Sequence, residues 1–70
     1  MAVIEAPMVG KIVGVNVEVG QAVAEDDEVF VLESMKMENP IYAPANGTVK
    51  EIKVKEGDVV NQGDVLAVLE

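Results

Sequence analysis

Lys36 lies between two methionines in the stretch ESMKMEN (33–39), and it is the only basic residue between Lys11 and Lys50. The rest of the chain offers little competing chemistry. There is no His and no Cys among its 70 residues. That removes a thiolate nucleophile, disulfides, the usual zinc ligands and the commonest general base together. Arg is also absent. The carboxylates are numerous but scattered, and none pairs into an obvious acid/base couple or metal cage. Catalysis by the chain alone is not expected. What stands out is one primary amine on a flexible four-carbon stem. Taken by itself, a lysine of this kind is most simply a solvated side chain, and the methionines are fillers of irregular gaps. Its place in the chain argues for more.

That place is the junction of an internal repeat. Residues 6–33 align with residues 43–70 at an offset of 37 without a gap, and 10 of the 28 pairs are identical. The identities are Ala6/Ala43, Pro7/Pro44, Gly10/Gly47, Val17/Val54, Gly20/Gly57, Val23/Val60, Asp27/Asp64, Val31/Val68, Leu32/Leu69 and Glu33/Glu70. Only nine residues, SMKMENPIY (34–42), separate the copies. Two related halves that cannot each bury a face alone are expected to pack together. The linker between them is then the one segment that is not scaffold.

Composition narrows the class. A 70-residue chain forms one domain with a thin core, burying roughly 60% of its unfolded surface. Half the residues are hydrophobic, with one Phe, one Tyr and no Trp, so the core is aliphatic. Thirteen acidic residues against five lysines give a net charge of −8. Such a surface repels phosphate backbones, which argues against nucleic-acid binding. Its simplest reading is solubility; the more pointed one is steering toward a basic groove on a partner. No apolar run approaches the roughly 20 residues that span a membrane, and no signal peptide opens the chain, so membrane insertion is not expected and the expected location is cytoplasmic.

The elements read as all-β. Valine is abundant, turn signals recur at Gly10, Gly20-Gln21, Asp26-Asp27, Asn46-Gly47, Gly57-Asp58 and Gly63-Asp64, and no window shows a helical period. The pattern predicts eight strands: 2–5, 11–17, 21–23, 28–33, 38–42, 48–54, 58–60 and 65–69. The runs VFVL (29–32) and VLAVL (65–69) suit central strands. In each copy the apolar spacing is three and then two, at Ile12, Val15, Val17 and at Val49, Ile52, Val54. One extra residue near Val13-Gly14 and near Lys50-Glu51 restores the inward direction, which predicts two equivalent β-bulges. Asp26 stands where the second copy has Gly63, and Asp tolerates a left-handed backbone. The expected architecture is a flattened barrel or sandwich of two four-stranded sheets related by a pseudo-two-fold axis.

The linker then forms a hairpin with Met35-Lys36-Met37 at its tip. This tip breaks local rules, because tight hairpin turns favour Asn-Gly and similar pairs that accept positive φ. Places where local sequence logic fails are expected to be functional or strained.

On these residues the chain resembles the biotinyl/lipoyl attachment domains, specifically the biotin carboxyl carrier type, over its full length (1–70). The repeated G-x-x-V-x-x-G-D pattern and the Met-Lys-Met hairpin carry the resemblance, which implies a barrel-sandwich hybrid fold. It implies that Lys36 is the biotinylated lysine and that Met35 and Met37 are its flanking recognition residues. Ser34 departs from the commoner Ala-Met-Lys-Met form, but is equally small. The "thumb" that some carriers insert in the first half is absent, since Glu18-Val19-Gly20-Gln21 is no longer than Lys55-Glu56-Gly57-Asp58. The likeness is therefore to the carrier modules of acyl-CoA or pyruvate carboxylases and sodium-pumping decarboxylases, or to a free-standing small carrier. The absence of an Ala/Pro-rich linker fits either a protein this small or a module trimmed from a longer chain.

What the resemblance implies for function is a non-catalytic carrier. A biotin protein ligase would join biotin to the Lys36 amine. The arm would take up CO2 at a biotin carboxylase site and deliver it at a carboxyltransferase site, with the cofactor supplying the difficult chemistry. Glu38 has no repeat counterpart and is the better candidate for a ligase contact, with Ser34 beside it. Glu33, matched by Glu70, reads as structural. The principal alternative is a lipoyl carrier of a 2-oxoacid dehydrogenase or glycine cleavage system, whose lysine usually sits in Asp-Lys-Ala. An unmodified interaction module of the same fold is the other.

Overall fold

The computed structural model describes residues 2–70 and contains eight strands. They are β1 (Ala2–Glu5), β2 (Gly10–Val15), β3 (Ala22–Val23), β4 (Glu28–Ser34), β5 (Met37–Tyr42), β6 (Gly47–Ile52), β7 (Val59–Val60) and β8 (Val65–Leu69). Two four-stranded antiparallel sheets result, ordered β1-β8-β6-β3 and β5-β4-β2-β7. The apolar runs 29–32 and 65–69 fall on β4 and β8, each flanked by two strands as expected.

The sheets do not coincide with the two halves of the sequence. Each takes two strands from β1–β4 and two from β5–β8, so β1 pairs with β8 and β3 with β6. A 37-residue offset converts one sheet into the other, pairing by pairing: Ala2↔Leu69 becomes Asn39↔Leu32, and Val3↔Val68 becomes Pro40↔Val31. The connecting hydrogen bonds obey the same rule. Ala6 N donates to Asp64 O at 2.9 Å, and Ala43 N to Asp27 O at 2.8 Å. Ile12 N donates to Asp58 O, and Val49 N to Gln21 O. These bonds tie one half to the other, so neither half is a folding unit with its own satisfied backbone.

Both predicted bulges are present. The β2–β4 register shifts between Ile12 and Gly14, and the β6–β8 register between Val49 and Glu51. Past each bulge the strand ends two residues earlier than the apolar spacing suggests, at Val15 and Ile52. Val17 nevertheless stays buried and Val54 packs against the core from a loop, which is why both looked like strand positions. Between the sheets lie Ile4, Ile12, Val29, Phe30, Leu32, Val49, Leu66 and Leu69, all nearly inaccessible, with no buried polar side chain among the described residues.

The turns show why particular residues recur. Asp27 Oδ2 accepts from Ala24 N at 2.9 Å, and Asp64 Oδ2 accepts from Asn61 N at 2.8 Å. Asp26 has φ 72° opposite the φ 89° of Gly63, so the aspartate does adopt the left-handed conformation. Gly10 and Gly47 turn out not to be turn residues. They open β2 and β6, and are glycines for lack of space: a Cβ on Gly10 would lie 2.5 Å from the Glu33 carbonyl oxygen, and one on Gly47 would lie 3.1 Å from that of Glu70.

Candidate functional site

The β4–β5 hairpin brings Ser34 and Met37 into register and leaves only Met35 and Lys36 between them. Both have positive φ, 54° and 63°. That is the backbone of a two-residue type I′ turn, whose twist matches the flanking strands. The sequence placed Met37 in the tip, whereas the ladder claims it as the first residue of β5. A left-handed conformation costs a residue with a Cβ roughly 1–2 kcal/mol. The packed sheet below holds the turn in place. Gly10 lets β2 press against the base of the hairpin, and Asn39 Nδ2 donates to the Met37 carbonyl at 3.3 Å. Asn39 was not singled out from the sequence; an Asn two residues beyond a non-glycine turn was the available signal.

Lys36 projects into solvent and forms no ion pair among the described residues, where the one salt bridge joins Lys53 to Glu51. Met35 is 91% exposed and Met37 67%. Neither methionine fills the core, so gap-filling does not explain them. Ser34 is half-buried at the foot of the turn, and its hydroxyl has no hydrogen-bond partner among the described residues.

Glu33 and Glu38 stand directly opposite each other, with Lys11 opposite Glu33 on the other side. Both carboxylates are exposed and have no side-chain partner among the described residues. Like charges facing across a ladder are mildly destabilising. The structural reading of Glu33 thus does not extend to its side chain. Its backbone carbonyl, packed beneath Gly10 as that of Glu70 is beneath Gly47, is what both copies of the repeat share. No group of three or more metal-ligating side chains occurs among the described residues.

The geometry is therefore an exposed primary amine on a rigid, sterically lean turn, free of intramolecular partners. That suits covalent attachment of a carboxylic acid through an amide. A family model described as "Biotin-requiring enzyme" matches residues 2–69. The chain belongs to the biotin/lipoyl attachment family. Within that family, it is 54% identical over 59 residues to the biotin/lipoyl attachment protein of Bacillus subtilis, covering 84% of this chain and 81% of that protein. It is 46% identical over 69 residues to the human mitochondrial propionyl-CoA carboxylase alpha chain, covering 99% of this chain. The match takes in only 10% of that much longer polypeptide. The crystal structure of Kluyveromyces lactis urea carboxylase superposes with a TM-score of 0.91 at 32% identity, covering 99% of this chain and 6% of that one. These two long relatives are named as carboxylases.

Proposed function

We propose that this chain is a non-catalytic biotin carboxyl carrier, holding biotin as an amide on Lys36 Nζ. The observation that carries this reading is the exposed amine of Lys36 at a strained two-residue turn, between two methionines that the core does not use. A biotin protein ligase forms the bond. The Lys36 nitrogen, deprotonated on entering the ligase site, attacks the activated acyl carbonyl and expels the activating phosphate group. The amine loses its charge, and no ion pair among the described residues has to be broken to release it.

Once attached, biotin supplies a ureido nitrogen able to carry a carboxyl group between a biotin carboxylase site and a carboxyltransferase site. The chain's own contribution is positional. The ladder of six paired positions between β4 and β5 fixes the direction in which Lys36 leaves the domain, which lowers the ordering cost of each docking. The turn's small cross-section lets it enter several sites in succession. Met35 and Met37 give adaptable apolar contact that different partners can reuse. Ser34 keeps the foot of the turn narrow. Glu38, exposed and unpaired, offers a carboxylate to a basic group on the ligase. Charge reversal at Glu38 that leaves the biotinylation rate unchanged would remove it from that role.

The direct test is the intact mass of the chain after co-expression with a biotin ligase, beside Lys36→Ala. One biotin on the wild type and none on the variant is the expected result. A lipoyl increment instead would move the chain to the dehydrogenase and glycine-cleavage carriers, and no increment at all would leave an interaction module.

A further inference from the structure

The pseudo-two-fold axis supplies an internal control for what the hairpin end of the domain needs. Two loops are related by it: Pro7-Met8-Val9 before β2, and Pro44-Ala45-Asn46 before β6. Their backbones are held alike. Gly63 N donates to Ala6 O at 2.9 Å, and Asp26 N to Ala43 O at 2.9 Å. Their side chains have diverged in opposite directions. Asn46 is exposed yet structural, its Oδ1 accepting from Glu25 N at 2.7 Å. Met8 and Val9 stand at 37% and 55% exposure, and both are outside the core cluster. A fold that tolerates Ala-Asn at one of two equivalent positions has no structural need for Met-Val at the other.

The two loops also differ in what they adjoin. Val9 precedes Gly10, which packs against the Glu33 carbonyl one residue from Ser34 and two from Met35. The Met-Val loop therefore sits beside the base of the Lys36 hairpin. The Ala-Asn loop sits at the opposite end of the sheets, beside the acidic turn 25–28. Of the other exposed apolar side chains, Val3, Val19 and Tyr42 have no such relation to the turn, whereas Val59 pairs with Lys11 on the far side of β2 from the hairpin.

From this we infer that Met8 and Val9, together with Met35 and Met37, form one apolar face by which the biotin ligase recognises the unmodified domain; the inference rests on the carrier reading of Lys36. Reach singles out the ligase among the partners. The enzymes that use the finished arm meet the carrier at the end of a long chain of single bonds. The ligase must bring the lysine nitrogen itself into its site, on a four-carbon stem, so its surface closes on whatever surrounds the hairpin base. Aliphatic and thioether side chains there match an apolar rim, and burying them at that rim supplies affinity without a fixed polar geometry.

The test rewrites the loop as its own symmetry mate. Met8→Ala/Val9→Asn places in the first copy the pair that already fits the second, and gives Gln62 N the acceptor that Glu25 N has. Initial biotinylation rates of the purified apo chain are measured against carrier concentration, with the ligase that modifies the wild type, biotin and ATP. Thermal unfolding is followed in parallel. The expected result is a KM raised about tenfold, the order set by losing burial of one or two aliphatic side chains, with kcat nearly unchanged. Val19→Asn, which removes an exposed apolar side chain away from the hairpin, leaves KM as it was. Should the double variant unfold, Met8→Ala alone carries the test, with a smaller rise in KM. An unchanged KM in the folded variant overturns the inference while leaving Lys36 as the attachment site. So does a normal KM combined with slowed carboxyl transfer from the pre-biotinylated variant, which would assign the face to a carboxylase instead. A wild-type chain that takes no biotin defeats the carrier reading itself.

Discussion

The two ends of this domain are built on one backbone plan and put to different uses. At one end β4 runs into β5 through Met35 and Lys36; at the symmetry-related end β8 stops at Leu69 beside the first residues of β1, and no turn joins them. The registers are the same, Leu32↔Asn39 at the first and Leu69↔Ala2 at the second. Comparing them separates what the scaffold needs from what was added. Close glycine packing under a carbonyl, the bulge, and the aspartate that ties the turn three residues back occur at both ends. Among the described residues, the positive-φ pair, the exposed methionines and the free lysine amine occur at one only. Pseudo-symmetry thus sorts structural from functional residues within a single sequence.

The comparison can be broken most completely at its asymmetric point. Lys36→Arg keeps charge and exposure but removes the primary amine, so attachment of biotin should fall to nothing by intact mass while the thermal midpoint stays put. Symmetry of the core fails next. Phe30 is fully buried at the position matched by Ala67 in the other half. Truncating it to Ala should cost about 3–5 kcal/mol in urea unfolding, a large fraction of the stability of so small a domain. A loss below about 1 kcal/mol would mean that the thin core collapses around the gap.

Where symmetry holds, paired substitutions should match. Asp27→Ala and Asp64→Ala each remove one exposed side-chain bond to a turn nitrogen, at 2.9 and 2.8 Å. Each should lower stability by about 1 kcal/mol, and the two values should agree to within about 0.5 kcal/mol. A wide gap would show that the acidic run 25–28 contributes something its counterpart does not. The smallest effect has the opposite sign. Met35→Asn puts a residue that tolerates the left-handed region at φ 54°, so unfolding should shift to higher denaturant by about 0.5–1 kcal/mol while biotinylation slows. A turn that gains stability and loses function would show that the strain at Met35 is retained for recognition.

Much of this was legible in the chain because it is written locally and twice. An extra residue at Val13 and again at Lys50, aspartates at 27 and 64, and an interrupted pattern at 34–42 each repeat or fail to repeat within reach of the eye. Gly10 was misread as a turn residue because glycine marks either a positive φ or a close approach, and only the Glu33 carbonyl above it decides which. Met37 was read as part of the tip because three exposed residues in a row do not reveal how many of them the ladder will pair. Glu33 looked structural because the repeat preserves it, although what is preserved is the path of its backbone.

The sequence by itself determined an all-β domain of two related halves with one irregular lysine between them, because alternation, bulge spacing and turn chemistry act over a few residues. Tertiary structure alone decided that the sheets are assembled across the halves, β1 with β8 and β3 with β6. Strand partners far apart in the chain are chosen by which faces can bury one another, and no local pattern records that choice. It also decided that the two residues at the turn must take a conformation their side chains resist, since the β4–β5 register leaves the chain only two residues in which to reverse.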